Sequence, residues 1–464
     1  MLQKTCAFAV ALALSGGAQA ANENDLAAIR AQIDEMKKSY EQRIAALEDK
    51  LAQTERKASR AEETATAVQT AGGERGGANA FNPEISVILD GKYASTSRKP
   101  DTYRLRGFIP NGGEIGPPKR SFNLGETELA LSANIDHLFR GTALFSVAGD
   151  GDSIATEEAH IETLSLPAGF KLKAGRFLSG IGYLNAQHPH SWDFVDAPLA
   201  YKAFYGSRLS NDGVQLKWLA PTPFFLELGA EAARGGGYPG NERNKNGSGL
   251  GTLFVHVGGD IGASNAWQAG VSYVQTHARD RSWDDTDAAG GATRNAFTGK
   301  SRTVGADFVW KWAPNGNPSE RNFKLQGEYF QRRESGSLAY DDASGNNLVG
   351  NVSDAYRSRQ SGWYAQGVWQ FMPQWRVGLR HDRLSSGSVR IGLVDNDVIG
   401  SADLPALLRY SPQRNSIMFD WSPSEFSRLR LQFARDTSRG PGEADNQIFV
   451  QYIMSLGAHG AHKF

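Results

Sequence analysis

The sequence predicts an all-β protein: a sixteen-stranded antiparallel transmembrane β-barrel preceded by an N-terminal α-helical coiled coil. Three observations carry this reading. From Phe81 onward, apolar and polar residues alternate through sixteen segments. The links between those segments alternate between short and mostly long. After residue 20 no run of eighteen apolar residues occurs, and the mean hydropathy is −0.44. A barrel crosses a bilayer with this composition, because only alternate residues of each strand meet lipid.

The first twenty residues, MLQKTCAFAVALALSGGAQA, carry one charge, Lys4. An apolar run from Ala7 to Leu14 follows, then the small-residue site Ala18-Gln19-Ala20. That order predicts a secretory signal peptide over residues 1–20, cut before Ala21. The run is too short to span a bilayer. The single cysteine, Cys6, lies inside it. The mature chain is therefore expected to lack disulfides, thiol chemistry and thiolate metal sites. With 50 basic and 50 acidic residues the chain shows no bias toward nucleic acid.

Residues 21–70 are rich in Ala, Glu, Lys, Arg and Gln, and lack Pro, Gly and Trp. Apolar positions recur at Leu26, Ile29, Ile33, Met36, Tyr40, Ile44, Leu47 and Leu51. The steps of three and four make a heptad seam with one stutter near Tyr40. Isoleucine at both seam positions favours three or more strands. A lone amphipathic helix would need a wider apolar face. Residues 71–80, AGGERGGANA, read as a flexible linker.

Residues 81–464 form the predicted barrel. Strands are expected near 84–95, 122–135, 139–149, 154–166, 170–178, 210–219, 222–234, 250–262, 266–279, 300–312, 321–334, 360–372, 374–386, 412–422, 425–437 and 444–456. In TVGADFVWKW, Val304, Ala306, Phe308, Trp310 and Trp312 share one face, and Asp307 and Lys311 the other. SIMFDWS sets Ile417, Phe419 and Trp421 opposite Asp420. RLRLQF sets Leu429, Leu431 and Phe433 opposite Arg428, Arg430 and Gln432.

Short links such as LPAG, APTP and MPQ alternate with longer ones near 96–121, 179–209, 235–249, 280–299, 335–359 and 387–411. Tight turns at one end and loops at the other are the asymmetry of an outer-membrane barrel. An even strand count puts both ends of the barrel domain on the periplasmic side, so the coiled coil projects into the periplasm. Trp218, Trp310, Trp312, Trp363, Trp369, Trp375 and Trp421 fall toward strand ends, as an interfacial girdle would. Phe464 ends the chain as in barrels recognised by the barrel assembly machinery. A soluble propeller or sandwich would not segregate its loops by length. Sixteen strands enclose an aqueous lumen.

The stretch HPHSWDFVDAP, residues 188–198, concentrates chemistry in the link after the fifth strand. His188, His190, Asp193 and Asp196 are the candidate pore constriction. Two imidazoles two residues apart share a face in extended chain, which suits zinc, copper or nickel. His459 and His462 add candidate ligands near the last strand. The same stretch also reads as a packed loop, with Trp192, Phe194 and the prolines fixing its shape and the aspartates bonding lumen arginines. A third reading makes the aspartates a transient guide for cations. Lys202 and Arg208 partly offset their charge. Catalysis is not expected: Ser191 follows His190, but neighbours on a strand point oppositely, and GxSxG, HExxH and Walker A motifs are absent. No cofactor is implied.

The phrases KLKAGRFLSGIGYLN (171–185), HPHSWDFVDAPLAY (188–201) and DNQIFVQYIMSLGAHGAHKF at the end resemble the phosphate-selective porin O/P family, over roughly residues 81–464. The resemblance implies a trimeric sixteen-stranded barrel whose third long loop folds inward. Here that loop is 179–209. Its wording is closer to a subgroup associated with zinc-regulated gene sets. The family's phosphate-specific members have a basic lumen, whereas residues 81–464 hold 40 basic and 39 acidic side chains. Lys171, Lys173, Arg376, Arg380, Arg428 and Arg430 form a candidate basic track. Glu128, Glu227, Glu231, Asp260, Asp307 and Asp420 face the same lumen. Phosphate selectivity is therefore not carried over.

The expected function is passive diffusion of small hydrophilic solutes or ions across the outer membrane. Alternatives are a divalent-metal porin, a phosphate or anion porin, and an envelope tether with the coiled coil as its working part. Deleting residues 22–70 separates the last from the others. A tether loses its envelope role while the barrel still conducts in a planar bilayer; loss of conductance on deletion would tie the coil to the pore.

Overall fold

The computed structural model describes residues 83–110, 115–147, 153–241, 244–342 and 349–457, together with Lys38, which is helical. The expected signal peptide, coiled coil (Lys38 apart) and linker lie outside the described residues, as do His459, His462 and Phe464. The chain divides into two units, Met1–Ala80 and Phe81–Phe464.

The second unit is one closed antiparallel sheet. Its strands are β1 (Glu84–Thr96), β2 (Ser121–Leu124), β3 (Thr127–Asn134), β4 (Phe139–Val147), β5 (Ile154–Thr163), β6 (Phe170–Leu178), β7 (Ser210–Leu219) and β8 (Phe225–Ala233). They continue as β9 (Leu250–Ile261), β10 (Asn265–Thr286), β11 (Ala292–Trp312), β12 (Asn322–Asp341), β13 (Asn351–Met372), β14 (Trp375–Ile391), β15 (Gln413–Ser424), β16 (Ser427–Asp436) and β17 (Asp445–Gly457). β3 and β2 pair end to end along β1, through Glu84–Ile88 and Gly91–Ala94. The seventeen segments thus fill sixteen wall positions. β1 pairs with β17 from Ser86↔Gly457 to Thr96↔Gln447 and closes the barrel.

Alternation explains the wall. Outward residues form an apolar belt that includes Leu129, Leu172, Leu253, Val304, Phe308, Leu379, Phe419 and Leu431, all exposed. Their inward neighbours are polar and buried: Glu128, Asp307, Arg380, Asp420, Arg430 and Gln432. Tryptophans border the belt at the short-link end. Trp375 stacks on Trp421 at 5.9 Å, and Trp218 on Phe170 at 6.2 Å.

Two expected loops are mostly strand. β10 to β14 run 17 to 22 residues, against 8 to 13 for the other strands apart from the four-residue β2. The expected connection 280–299 shrinks to 287–291, and 335–359 to 342–350. Beyond the apolar belt the outer faces of these strands turn polar while their inner faces keep buried Trp283, Phe297, Leu338 and Tyr356, so pairing persists after the lipid-facing pattern ends. A bulge between Ala278 and Arg281 further masks the period.

Inside, the wall is lined by folded-in connections. Residues 179–209 cross the lumen and end in α1 (Leu199–Tyr205), all of whose residues are buried. Pro198 sets its start, and Gly206 at φ 63° its stop. Phe204 and Ile181 are fully buried among Leu105, Phe108, Phe330, Tyr364 and Leu384. Each such side chain contributes about 1.5–3 kcal/mol. A second cluster packs Ile109, Leu393, Ile399, Leu404 and Leu407 on the tall wall at Trp283, Phe297, Leu338 and Tyr356.

One glycine lets the inward loop approach the wall. Gly182 has φ 59°, and a Cβ there would lie 2.1 Å from Glu328 Oε2 and 2.6 Å from the Tyr201 hydroxyl. Gly182→Ala is expected to weaken loop seating by about 2–4 kcal/mol, from the left-handed backbone and a displaced charge-assisted hydrogen bond. Limited proteolysis within 179–209 should accelerate at unchanged β-sheet circular dichroism. An unchanged cleavage rate would show that the contact with Glu328 does not hold the loop.

Candidate functional site: the inward loop and its charged wall

The loop is first closed on itself. Asn185 donates to the carbonyls of Ser179 at 2.8 Å and Leu209 at 3.0 Å, and accepts from Leu209 N–H at 2.7 Å. Both feet of the loop are thus tied by one side chain. Glu231 of β8 accepts from Ser179 Oγ at 2.6 Å and Gly180 N–H at 2.8 Å. Glu328 of β12 accepts from Leu184 N–H at 2.9 Å and from the Tyr201 hydroxyl at 2.7 Å. Asp382 of β14 accepts from Leu199 N–H at 2.9 Å, at the positive end of α1.

Both expected constriction aspartates are matched by cations. Asp193 pairs with Lys324 and with Arg376 at 3.1 Å, and accepts from Gln366 at 3.1 Å. Asp196 pairs with Arg414, with Arg380 at 3.0 Å and with Lys202 at 2.9 Å. Burial alone would raise both carboxyls. The adjacent cations outweigh it and hold Asp193 and Asp196 well below the usual range. Arg430 donates to Trp192 O at 2.7 Å, and Gln432 accepts from Val195 N–H at 2.8 Å. Arg380 also lies over the Phe194 ring at 4.7 Å. Asp193 is 4% exposed, so its charge is spent on the wall.

The histidines face the opposite wall. His188 Nε2 lies 2.8 Å from Glu158 Oε1, and its Nδ1 lies 3.7 Å from Glu128. His190 Nδ1 lies 3.2 Å from Glu128 Oε2. The two imidazoles are parallel at 5.9 Å. Arg208, at the loop's end, bridges Glu126 and Glu157, the latter at 3.0 Å. Among the described residues no three His, Cys, Asp or Glu side chains are arranged to hold a metal ion. Burial pushes the His188 pKa down, but the hydrogen bond to Glu158 and the charges of Glu128 and Glu158 outweigh it, so it lies above the ordinary value.

The candidate basic track splits. Arg376, Arg380, Arg428 and Arg430 gather around the loop aspartates and Asp420. Lys171 and Lys173 stand on β6, where Lys171 pairs with Glu162 at 2.9 Å. The inward acids split likewise: Glu227 takes Lys217 at 3.1 Å, and Asp307 is 5% exposed beside Glu328 in register. Asp260 is exposed at the short-link end of β9. Toward that end, Arg376, Arg428, His190, Gln370, Gln374 and Ser427 line a cavity of about 250 Å³. Lys324, Arg414, Asp382 and Glu158 were not expected in the site. Inward parity alone marks them: Lys324, Gln326 and Glu328 alternate on one strand, Arg380 and Asp382 on another.

The fold and site define a closed barrel with an apolar exterior, a polar lumen and an inward loop fixed by ion pairs. A protein of Aquifex aeolicus (strain VF5), described as uncharacterized, is 32% identical over 409 residues, covering 83% of this chain and 80% of that one. The chain belongs to the family of that protein. No family model matches it. Among solved structures it is similar to OmpT of Vibrio cholerae in its trimer form, with TM-score 0.49 and 10% identity, over 82% of this chain and 100% of that one. It is also similar to the anion-selective porin from Comamonas acidovorans (TM-score 0.45, 10% identity, 81% and 100%). The outer membrane channel DcaP of Acinetobacter baumannii matches at TM-score 0.44 and 12% identity, over 81% and 97%.

The two anchors respond oppositely to pH. A raised imidazole contributes fully below its unfolded pKa of about 6.5 and loses that contribution as pH rises through the native value. A depressed carboxyl contributes above about pH 4 and loses it only as pH falls further. Protection of residues 186–191, corrected for intrinsic exchange, should therefore fall as pH rises above about 6.5 while 193–197 stays protected. His188→Gln should remove that pH dependence. Equal loosening of both segments would refute the separate anchors.

Proposed function

We propose that this chain is an outer-membrane porin, passing small hydrophilic solutes or ions down their gradients through a lumen narrowed by loop 179–209. The inward loop carries the reading: it is buried, it binds both walls, and it lies in a closed barrel with polar inner faces. An exterior belt of exposed Leu, Val, Phe and Trp on every side of the barrel is larger than any apolar patch a soluble monomer tolerates. Lipid is the solvent that suits it. The barrel works as a homotrimer in the outer membrane, with short links and coiled coil on the periplasmic side. The heptad seam of residues 21–70 supports the trimer.

Selectivity follows from fixed charge. The loop aspartates are neutralised, while Arg376 and Arg428 stay partly exposed in the cavity below. This favours anions at the periplasmic mouth, and makes an anion-preferring pore the second reading. The carboxylate-rich side at Glu126, Glu128, Glu157 and Glu158 is set against it across the loop.

Purified trimer in a planar bilayer is expected to give ohmic conductance in steps of three. Correctly folded trimer without channels would remove the porin reading. In a KCl gradient the sign of the reversal potential decides anion against cation. Asp193→Asn with Asp196→Asn strips the partners of Lys324, Arg376, Arg380 and Arg414, and should move the permeability ratio about tenfold toward chloride. An unmoved ratio would place the constriction elsewhere.

A further inference from the structure

The outer face of the tall wall carries a second polar feature, above the apolar belt. Register sets cations side by side there. Arg302 is opposite Arg333, and Arg333 is opposite Arg359. One step farther out, Lys300 is opposite Ser335, Ser335 opposite Arg357, and Arg357 opposite Arg390. Arg383 stands opposite Trp363 at the edge of the belt. All seven cations are exposed. Among the described residues none of them makes an ion pair or a side-chain hydrogen bond. The pairs Arg279–Asp280 (3.6 Å) and Arg294–Asp284 (3.8 Å) lie farther along β10 and β11.

Neighbouring strands are about 4.8 Å apart, so the Cα atoms of Arg302, Arg333 and Arg359 fall within about 10 Å. Like charges directly opposite one another destabilise a sheet. The wall keeps them at one level, where an external anion relieves the repulsion. The level is informative. On the same faces of the same strands, Val304 is 55% exposed, Tyr329 43%, Trp363 37% and Leu379 61%. Val304 is two residues from Arg302, about 6.8 Å along the strand. Cations that follow the apolar belt so closely stand where headgroups meet the acyl region. Six of the seven are arginine, whose planar fork donates to two phosphate oxygens at once.

We propose that this patch binds the phosphate groups of anionic lipid headgroups in the leaflet at the long-loop end of the barrel. Lipid phosphate then completes the charge balance of the outer wall. The inference rests on the membrane-spanning part of the reading above and is independent of conduction.

The test uses the full chain in nanodiscs of phosphatidylcholine containing a minor fraction of phosphatidic acid, with retained lipids counted by native mass spectrometry. The natural protein should retain phosphatidic acid in preference to phosphatidylcholine. Arg302→Gln, Arg333→Gln and Arg359→Gln combined should weaken that preference about a hundredfold, at roughly tenfold or less per cation near an anionic surface. The matching triple Lys variant should keep most of it, which guards against a folding defect. Inorganic phosphate in solution should leave lipid retention unchanged; displacement by it would assign the patch to free phosphate and overturn the lipid proposal. Equal retention by natural and triple-Gln proteins, or pairing of two copies through the patch in lipid-free detergent, would also overturn it. Failure to enter nanodiscs at all would sink the membrane reading together with the patch; entry without lipid preference would sink the patch alone.

Discussion

The lumen is organised by charge that has to be matched where water is scarce. Asp193 and Asp196, three residues apart, meet Lys324, Arg376, Arg380, Arg414 and Lys202. Removing one partner of such a set leaves an uncompensated buried charge, at a cost of about 3–5 kcal/mol. The loop is therefore part of the wall's electrostatics as well as a constriction. Its backbone enters the same account. Trp192 O and Asp196 O accept from Arg430 and Arg380, while Leu184 and Leu199 N–H donate to Glu328 and Asp382. Irregular chain inside a barrel needs such partners, because no ladder satisfies it.

The loop's two anchors differ in kind. On β14 and β15 it is held by Arg376, Arg380 and Arg414, which pair with Asp193 and Asp196 and keep those carboxyls well below the usual range. On β3 and β5 it is held by His188 and His190 against Glu128 and Glu158. An imidazole is the group whose charge changes near neutrality. The loop thus combines an ion-paired attachment at Asp193 and Asp196 with a titratable one at His188. The sequence order His188, His190, Asp193, Asp196 maps directly onto the two sides of the lumen.

Much of this architecture was legible. Alternation in TVGADFVWKW, SIMFDWS and RLRLQF named the inward charges correctly, since Asp307, Asp420 and Arg430 are buried and Phe308, Phe419 and Leu431 exposed. The inward position of 179–209 followed from the family resemblance and is what the coordinates show. What failed was the height of the wall. Residues such as Arg279, Asp280 and Asp284 have a loop-like composition because the outer face is exposed there, while Arg281 and Trp283 between them are buried inward. The pairing inside the site was also out of reach. Parity says which residues face the lumen, but relative height depends on turns and bulges summed around the barrel. Tyr201 and Glu328 are 127 residues apart, and Trp192 and Arg430 are 238 apart. Lys171 and Lys173 have the inward parity but stand on β6, away from Arg376, Arg380, Arg428 and Arg430.

The unequal strands give the barrel a bevelled mouth. At about 3.3 Å per residue, a 22-residue strand reaches about 70 Å along its length and a 9-residue strand about 30 Å. β10 to β14 therefore rise as a screen on one side while β3 to β8 end low. In the porin proposed above, a solute approaching along the membrane plane would meet the screen from one direction and the open rim from the other. Entry into such a pore would be directional in the plane of the membrane, and the orientation of each barrel would set which part of its surroundings it samples.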